Sequence, residues 1–99
     1  MQFVVTATDF KDSDALNRRV KTREEHLSGI KIMVNEGTFK SGGVILDSNG
    51  KMVGSSIHVE FKSREDLQNW LDNDPYTLNK VWEHLEVKEK KLVAYNPSP

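Results

Sequence analysis

Hydrophobic and polar residues change their period several times along the chain, and each change predicts a new element. Residues 2–8 combine Phe, Val and Thr, which pack well on a pleated surface, so they predict a first, central strand. From residue 13 the apolar positions recur at steps of three and four, which predicts a long helix over residues 14–35. Asp12 or Ser13 is expected to cap its first turn, and Gly37 to end it. The stripe predicted to face the core consists of Leu16, Val20, Leu27, Ile30 and Val34.

Two strand-like runs follow, at residues 38–46 and 51–62, and they are separated by Asp-Ser-Asn-Gly at 47–50. The Asn-Gly pair favours a tight turn, so the two runs are expected to form an antiparallel hairpin. Alternate residues of a strand share one face. The face predicted to point toward the core carries Val53, Ser55, Ile57, Val59 and Phe61.

The last third of the chain predicts a second helix, a turn and a final strand. Ser63 is expected to cap a helix that buries Leu67, Trp70 and Leu71, and Pro75 to end it. A turn then leads to a strand predicted over residues 84–95, and residues 96–99 are expected to form a flexible tail. The order βαββαβ predicts one α+β domain over residues 1–95. Its fold is a ferredoxin-like sandwich, in which a four-stranded antiparallel sheet carries both helices on one face.

Composition and charge narrow the range of partners. The chain has 99 residues and no Cys, which excludes disulfides, thiol nucleophiles and zinc-thiolate sites. The formal net charge is −1, so no basic surface for nucleic acid or anionic membrane is predicted. The first residues show neither a signal peptide nor a membrane span. We therefore expect a cytoplasmic protein that binds neither nucleic acid nor membrane.

The uncovered face of the predicted sheet is expected to carry apolar side chains, with Val4 and Val44 as examples. Exposed apolar surface of this kind requires a cover. A chain of this length buries only about 60 to 65% of its unfolded surface by itself. We therefore predict a two-fold homodimer in which two sheets pack face to face through this open surface and enclose a barrel-like core.

Polar residues near helical packing positions are the first candidates for a site. Arg23 occupies the one polar position in the apolar series of the first helix, and His26 lies one turn further along the same side. The helix by itself favours a structural explanation, in which Arg23 extends its charge to solvent and His26 borders the packed face. Asp74 before Pro75 is typical of a helix N-cap. Tyr76 is equally typical of a packing residue whose hydroxyl finds an incidental partner.

Small residues on the predicted hairpin indicate a cavity. Ser55 lies on the core-facing side of its strand, where a buried hydroxyl needs a partner or a ligand. Gly54 beside it leaves room for a ligand to approach, as do Gly42 and Gly43 on the neighbouring strand. A bulge or a tight bend in the sheet explains the same residues equally well.

Two His-x-Glu pairs, at residues 58/60 and 84/86, have the alternation of ligands on a strand. In the expected strand order their strands are not neighbours, and no third strong ligand accompanies them. We interpret both pairs as solvated surface groups and expect no metal and no other cofactor.

The order and spacing of the short motifs resemble the YciI-like, or YCII-related, family. The resemblance is carried by Arg23-Glu24-Glu25-His26-Leu27, by Ser41–Leu46 with Asp47 and Gly50, by Gly54-Ser55 and by Asp74-Pro75-Tyr76. It implies the dimeric α+β barrel variant of the ferredoxin-like fold and a site built around His26 and Asp74. It also implies that Arg23, Ser55 and Tyr76 lie around the same cleft. The chain departs from the family at Gly42-Gly43, where relatives often have Gly-Pro, and at Leu78-Asn79-Lys80, where they often have a Gly.

An imidazole beside a carboxylate is a competent general base, because the anion fixes the tautomer and stabilises the imidazolium that forms. With Arg23 binding a carboxylate or an enolate, we expect proton abstraction next to a carbonyl in a small carboxylic-acid metabolite. The enzyme would be a cofactor-independent isomerase or lyase. The resemblance points the same way, because a few relatives look like muconolactone-isomerase or dehydrochlorinase enzymes. The alternative is a non-catalytic dimeric module that binds a small anionic metabolite, and the fold does not distinguish the two.

Overall fold

A single antiparallel sheet with helices on one face forms the body of the computed structural model, which describes residues 1–93. The elements are β1 (Gln2–Asp9), α1 (Ala15–Glu36), β2 (Phe39–Leu46), β3 (Met52–Glu60), α2 (Arg64–Asn73), α3 (Pro75–Leu78) and β4 (Trp82–Glu89). The strand order is β2-β3-β1-β4, and all neighbours are antiparallel. The predicted ferredoxin-like α+β fold is confirmed, with β1 in the middle of the sheet. The flexible tail predicted at residues 96–99 lies outside the described residues.

Helix α1 ends where the sequence predicts and begins slightly differently. Gly37 has a left-handed backbone with φ of 81°, and its N–H donates to the carbonyl of Val34. At the other end the N-cap is Asp14, so the prediction of Asp12 or Ser13 as the cap is wrong. The carboxylate of Asp12 accepts two hydrogen bonds of 2.7 Å from Arg18 and one of 3.2 Å from the N–H of Asp14, the residue before the helix.

The most buried face of α1 lies beside the predicted one, of which Ile30 packs against the core and Leu16 is half-buried. Val20, Leu27 and Val34 of the predicted stripe are 57%, 39% and 52% exposed. The buried residues are Ala15, Arg19, Thr22, His26 and Met33, which form a stripe displaced by one residue toward the N-terminus. Apolar spacing selects the wrong face because three of these five side chains are polar and find their partners on other elements.

The hairpin and α2 follow the predicted local rules. Gly50 has a positive φ of 78°, and the Asp47 carboxylate accepts hydrogen bonds from the N–H groups of Asn49 and Lys51. The side chain of Ser63 accepts a hydrogen bond from the N–H of Asp66, which caps α2. Within α2, Leu67 and Leu71 are fully buried, and Trp70 packs at the edge of the core.

The predicted last strand has wrong boundaries. Strand β4 begins at Trp82 instead of residue 84 and ends at Glu89, and the predicted end at residue 95 lies outside the described part of the chain. A shift in register between Thr8 and Asp9 of β1 lets Asp9 pair with Trp82. The indole is thereby buried at the start of the strand, where burial of a large apolar ring stabilises the pairing.

The core fills the space between the sheet and the helices. Its buried members are Phe3, Val5, Ala7, Met33, Ile57, Val59, Leu67, Leu71, Tyr76, Val81 and Trp82. Central strands β1 and β3 supply inward residues at alternate positions, as the pleat requires. The helices α1, α2 and the short α3 therefore pack on the same face of the sheet.

Within residues 1–93 no helix covers the opposite face of the sheet, and that face is more polar than predicted. Paired residues of antiparallel strands share a face, so the register places the following residues there in two rows: Ser41, His58, Val4 and Lys88, then Gly43, Ser56, Thr6 and Glu86. Val4 lies on this face as expected. Val44 does not, because an irregularity between Phe39 and Ser41 reverses the alternation of β2 and turns Val44 toward the helices, opposite Ser55.

Candidate active site

Asp74 lies at the junction of two helices and is bonded in two ways. Its backbone is extended, with φ of −64° and ψ of 137°, and its Oδ1 accepts the backbone N–H of Tyr76 at 2.8 Å. Nδ1 of His26, from the buried face of α1, lies 2.8 Å from Oδ1 and 3.1 Å from Oδ2. The N-cap role and the contact with His26 therefore coexist, because the cap bond orients the carboxylate that receives the imidazole.

The contact with Asp74 determines the tautomer of His26. A carboxylate only accepts hydrogen bonds, so Nδ1 carries the proton, and Nε2 carries the lone pair in the neutral ring. Both side chains are buried, at 8% and 4% exposure. His26 also lines a cavity, and its Nε2 has no hydrogen-bond partner among residues 1–93. Nε2 is therefore the basic atom that a ligand in the cavity can reach.

Two aromatic rings hold the imidazole in place. The ring of Tyr76 stacks on His26 with centroids 3.9 Å apart and an interplanar angle of 11°. The indole of Trp82 meets both rings edge-on, with centroid distances of 5.6 Å to His26 and 5.5 Å to Tyr76. Stacked and edge-to-face pairs stabilise such an arrangement beyond the burial of their area. The plane of the imidazole is thus fixed by packing as well as by Asp74.

A buried ion pair lies beside this group, and the sequence analysis missed it. Nε of Arg19 donates to Oδ2 of Asp9 at 2.6 Å, and Nη2 donates to Oδ1 at 3.0 Å. The same Nη2 donates to Oγ of Ser55 at 2.8 Å, and Nε1 of Trp82 donates to that oxygen at 3.3 Å. The guanidinium also lies 4.8 Å from the centroid of the Tyr76 ring. The available signal was the spacing of Arg19 from His26, since seven residues are two helical turns and place both on one face.

The cavity itself lies between α1 and the β2–β3 hairpin and has a volume of about 270 Å³. Its polar lining consists of Arg19, Arg23, His26, Ser55 and Tyr76, and its apolar lining of Leu27, Ile30, Phe39, Val44, Met52 and Ile57, with Gly42 and Gly43 on one wall. Four predicted site residues, Arg23, His26, Ser55 and Tyr76, thus border one space, and Asp74 supports it from behind. Arg23 is exposed and has no ion-pair partner among the residues that the structure describes.

Gly54 lies outside this lining. A Cβ at residue 54 would come within 2.4 Å of the backbone carbonyl oxygen of Ala7, so the missing side chain lets β1 and β3 approach each other. Gly42 pairs with Ile57 on the cavity side, and a Cβ there would lie 3.1 Å from the ring of Phe39. Gly43 pairs with Ser56, so its Cβ position lies on the open face, where nothing is within 4 Å. The missing side chain of Gly42 therefore leaves space in the cavity, whereas that of Gly54 lets two strands approach each other.

Burial raises the pKa of the Tyr76 hydroxyl above its ordinary value of 10.0, although the nearby charges of Arg19 and Arg23 act in the opposite direction. A phenol is uncharged when protonated, so removal from water favours the protonated form. The hydroxyl is therefore a hydrogen-bond donor at neutral pH.

The other two histidines are far apart on the sheet. Strand β1 lies between β3, which carries His58, and β4, which carries His84, so the two His-x-Glu pairs are not neighbours. Within residues 1–93 no group of three or more His, Asp or Glu side chains is arranged to hold a metal ion. In the same residues no helix is both long enough and apolar enough to span a membrane.

Comparison with solved structures confirms the fold. The chain of 5-chloro-2-hydroxyhydroquinone dehydrochlorinase from Burkholderia phenoliruptrix AC1100, in complex with 2,5-dihydroxybenzoquinone, aligns with a TM-score of 0.81 at 22% identity. That alignment covers 92% of this chain and 94% of the other. An antibiotic biosynthesis monooxygenase aligns with a TM-score of 0.56 at 16% identity, over 95% and 100% of the two chains. Such identities show a shared α+β fold.

Comparison of sequences goes further. Protein YciI of Escherichia coli O6:H1 is 35% identical, over 94% of this chain and 99% of that protein. A protein of Emericella nidulans named "Derivative of benzaldehyde biosynthesis cluster protein C" is 31% identical, over 78% of this chain and 87% of its own length. The sequence model of the YCII-related domain matches residues 1–91. The chain therefore belongs to the YCII-related domain family.

Proposed function

We propose that this protein is a cofactor-independent enzyme of the isomerase or lyase type, which abstracts a proton from a small carboxylic-acid metabolite. The supporting observation is the arrangement of His26, whose Nδ1 is held 2.8 Å from Asp74 while the ring lines the cavity. A base that is oriented from behind and reachable from the front is what proton abstraction requires.

In the proposed reaction Nε2 of His26 takes a proton from the carbon next to a carbonyl. The C–H electron pair forms a new carbon–carbon π bond, and the carbonyl π pair moves onto oxygen to give an enolate. Return of the proton at another carbon completes an isomerisation, whereas departure of a leaving group with its bonding pair completes an elimination. Asp74 stabilises the imidazolium that forms in between. A positioned base of this kind contributes about 10²- to 10⁴-fold to the rate.

Arg23 is proposed to bind the substrate carboxylate. Of the two cations in the cavity lining, Arg19 already pairs with Asp9 at 2.6 Å, whereas Arg23 has no such partner among residues 1–93. The apolar side chains opposite it suit the hydrocarbon part of a small acid. The dehydrochlorinase that shares the fold is described with a small cyclic ligand, which agrees in size with this proposal.

Hydrogen–deuterium exchange tests the proton abstraction without knowledge of the product. A panel of small 2-oxo acids, β-keto acids and unsaturated lactones is incubated with the protein in D₂O and followed by proton NMR. We expect the wild type to exchange α-protons of at least one compound, and His26→Asn to lose this exchange by about 10²-fold or more. His84→Asn, which removes an exposed imidazole on β4, is the matched control and should exchange normally.

The same panel tests the role of Arg23 and separates the alternative function. Arg23→Gln should raise KM with little change in kcat, whereas Lys31→Gln, which removes an exposed charge from the same helix, should change neither. Arg23-dependent binding without any exchange by the wild type would refute catalysis. It would support the non-catalytic module for a small anionic metabolite.

We also propose a homodimer formed through the open face of the sheet. None of the helices that the structure describes covers that face, and a domain of about 100 residues gains stability by covering it with a second copy. Thr6 lies near its centre, between Ser56 and Glu86. Thr6→Arg would place two like charges close together across the two-fold axis, so sedimentation should show monomers. A wild type that sediments as a monomer would refute the proposal.

A further inference from the structure

The hydroxyl of Tyr76 is a polar group without an internal role. The residue is 2% exposed and lines the cavity, yet its hydroxyl has no hydrogen-bond partner among residues 1–93. A cavity-lining hydroxyl without an internal partner can donate a hydrogen bond to a ligand. Its ring, in contrast, is fully engaged, because it stacks on His26 and lies under the guanidinium of Arg19.

The surroundings of the hydroxyl suit a negatively charged oxygen. The positive charges of Arg19 and Arg23 act on it, while burial keeps the phenol protonated. A positioned donor with cations nearby stabilises an anion through both the hydrogen bond and the charges. Because the phenol and the imidazole stack in parallel at 3.9 Å, a ligand that contacts one ring edge lies beside the other.

We propose that the Tyr76 hydroxyl donates a hydrogen bond to the oxyanion that forms on the substrate carbonyl while His26 removes the neighbouring proton. This assignment rests on the proposed function. The hydroxyl keeps its proton throughout the step, since the electron pair arrives on the carbonyl oxygen and the abstracted proton stays on Nε2. Its contribution is greatest when the charge has developed, which is the condition for accelerating the reaction.

Ser55 is the competing donor. Its oxygen already accepts hydrogen bonds from Arg19 at 2.8 Å and from Trp82 at 3.3 Å, so its position is tied to the buried ion pair. The Tyr76 hydroxyl has no such constraint. Tyr76→Phe is the cleaner test, because the phenyl ring retains the stacking on His26 and the contact with Arg19 and loses only the donor.

The probe is 2,5-dihydroxybenzoquinone, an acidic quinone whose ionised oxygens share negative charge and imitate an enolate. Its binding to wild type, Tyr76→Phe and Thr77→Val is measured by calorimetry at neutral pH. Losing one hydrogen bond to a charged group weakens binding about 10- to 100-fold, and we expect this loss of affinity for Tyr76→Phe. Thr77→Val removes a buried, unpaired hydroxyl of the same short helix outside the cavity lining, and it should bind as the wild type does. Equal binding by Tyr76→Phe, or no binding by the wild type, would overturn the assignment.

Deuterium exchange separates this proposal from the proposed function. We expect Tyr76→Phe to slow exchange through kcat by about 10²-fold, as for the loss of one oxyanion donor. If exchange depends on His26 and Ser55 but is unchanged in Tyr76→Phe, the assignment of Tyr76 is overturned, whereas His26 remains the proposed base. Conversely, the wild type could show no exchange while its binding of the probe still requires the Tyr76 hydroxyl. That result would refute catalysis and support Tyr76 as a hydrogen-bond donor to a bound anion.

Discussion

Replacing Asp9 by Asn should destabilise the protein strongly, because it removes one charge of a buried pair and leaves the other. The side chains of Arg19 and Asp9 are 4% and 6% exposed and share hydrogen bonds of 2.6 and 3.0 Å. Breaking such a pair from one side costs about 3–5 kcal/mol, since the remaining charge is uncompensated. Asn keeps one acceptor oxygen for the guanidinium, so we expect the lower value, about 3 kcal/mol. For a domain of this length that corresponds to a fall in melting temperature of roughly 12–24 °C.

Urea unfolding followed by tryptophan fluorescence measures this loss, because Trp82 lies within the affected network. The matched control is Asp12→Asn, the same substitution in a pair of exposed side chains in which Asp12 meets Arg18 at 2.7 Å. Solvent screens a pair at the surface, so the control should lose little stability. Both variants are measured at two protein concentrations, because association would make the apparent stability depend on concentration.

A double-mutant cycle identifies the cause. Asp9→Leu combined with Arg19→Met removes both charges, and it should be more stable than either single variant, since no unpaired charge remains. The reasoning is refuted if Asp9→Asn is no less stable than Asp12→Asn, or if the two single losses simply add. Additive losses would mean that the side chains do not interact as the 2.6 Å contact implies.

Three further outcomes are expected. Gly54→Ala should lower the free energy of unfolding by about 1–3 kcal/mol or more, because its Cβ would clash with the backbone carbonyl oxygen of Ala7. Gly43→Ala should be tolerated, since nothing lies near its Cβ position. Equal stability of the two variants would contradict this prediction. Ser63→Ala should cost about 1 kcal/mol in chemical unfolding, since it removes the cap of α2. In an alkaline titration at 295 nm, Tyr76 should ionise above its ordinary pKa of 10.0. Because the pKa of Tyr76 is higher in the folded state, the protonated phenol stabilises the fold fully below pH 10.0. This stabilisation is lost as pH rises from 10.0 through the folded-state pKa. The wild type should therefore lose stability relative to Tyr76→Phe only above pH 10.0.

Local sequence rules predicted the elements because each rule depends on neighbouring residues. Gly37 ends α1 with a left-handed backbone, Gly50 closes the hairpin turn, and Ser63 caps α2. Asp74 also fits its local rule, as the N-cap of the helix that starts at Pro75. Where a local rule failed, a competing partner contributes, as with the Asp12 carboxylate, whose shorter hydrogen bonds come from Arg18.

The candidate site was predictable only in part. The family resemblance predicts that His26 and Asp74 form one site, whereas local rules do not, because 48 positions separate two side chains whose atoms lie 2.8 Å apart. Arg19 and Asp9 were overlooked, because each is an ordinary charged residue in its own segment. A buried charge is stable only with its partner, and this pair forms only when β1 and α1 pack together.

The sequence by itself determined the order of strands and helices, the turns and caps between them, and the family to which the chain belongs, since all of these depend on residue types and short spacings. Only the tertiary structure decided which face of α1 is buried. Apolar spacing favoured the stripe with Val20 and Leu27, yet the buried stripe carries Arg19 and His26. The physical reason is that burial of a polar side chain depends on whether another element offers it a partner, and Asp9 and Asp74 do so only in the folded chain.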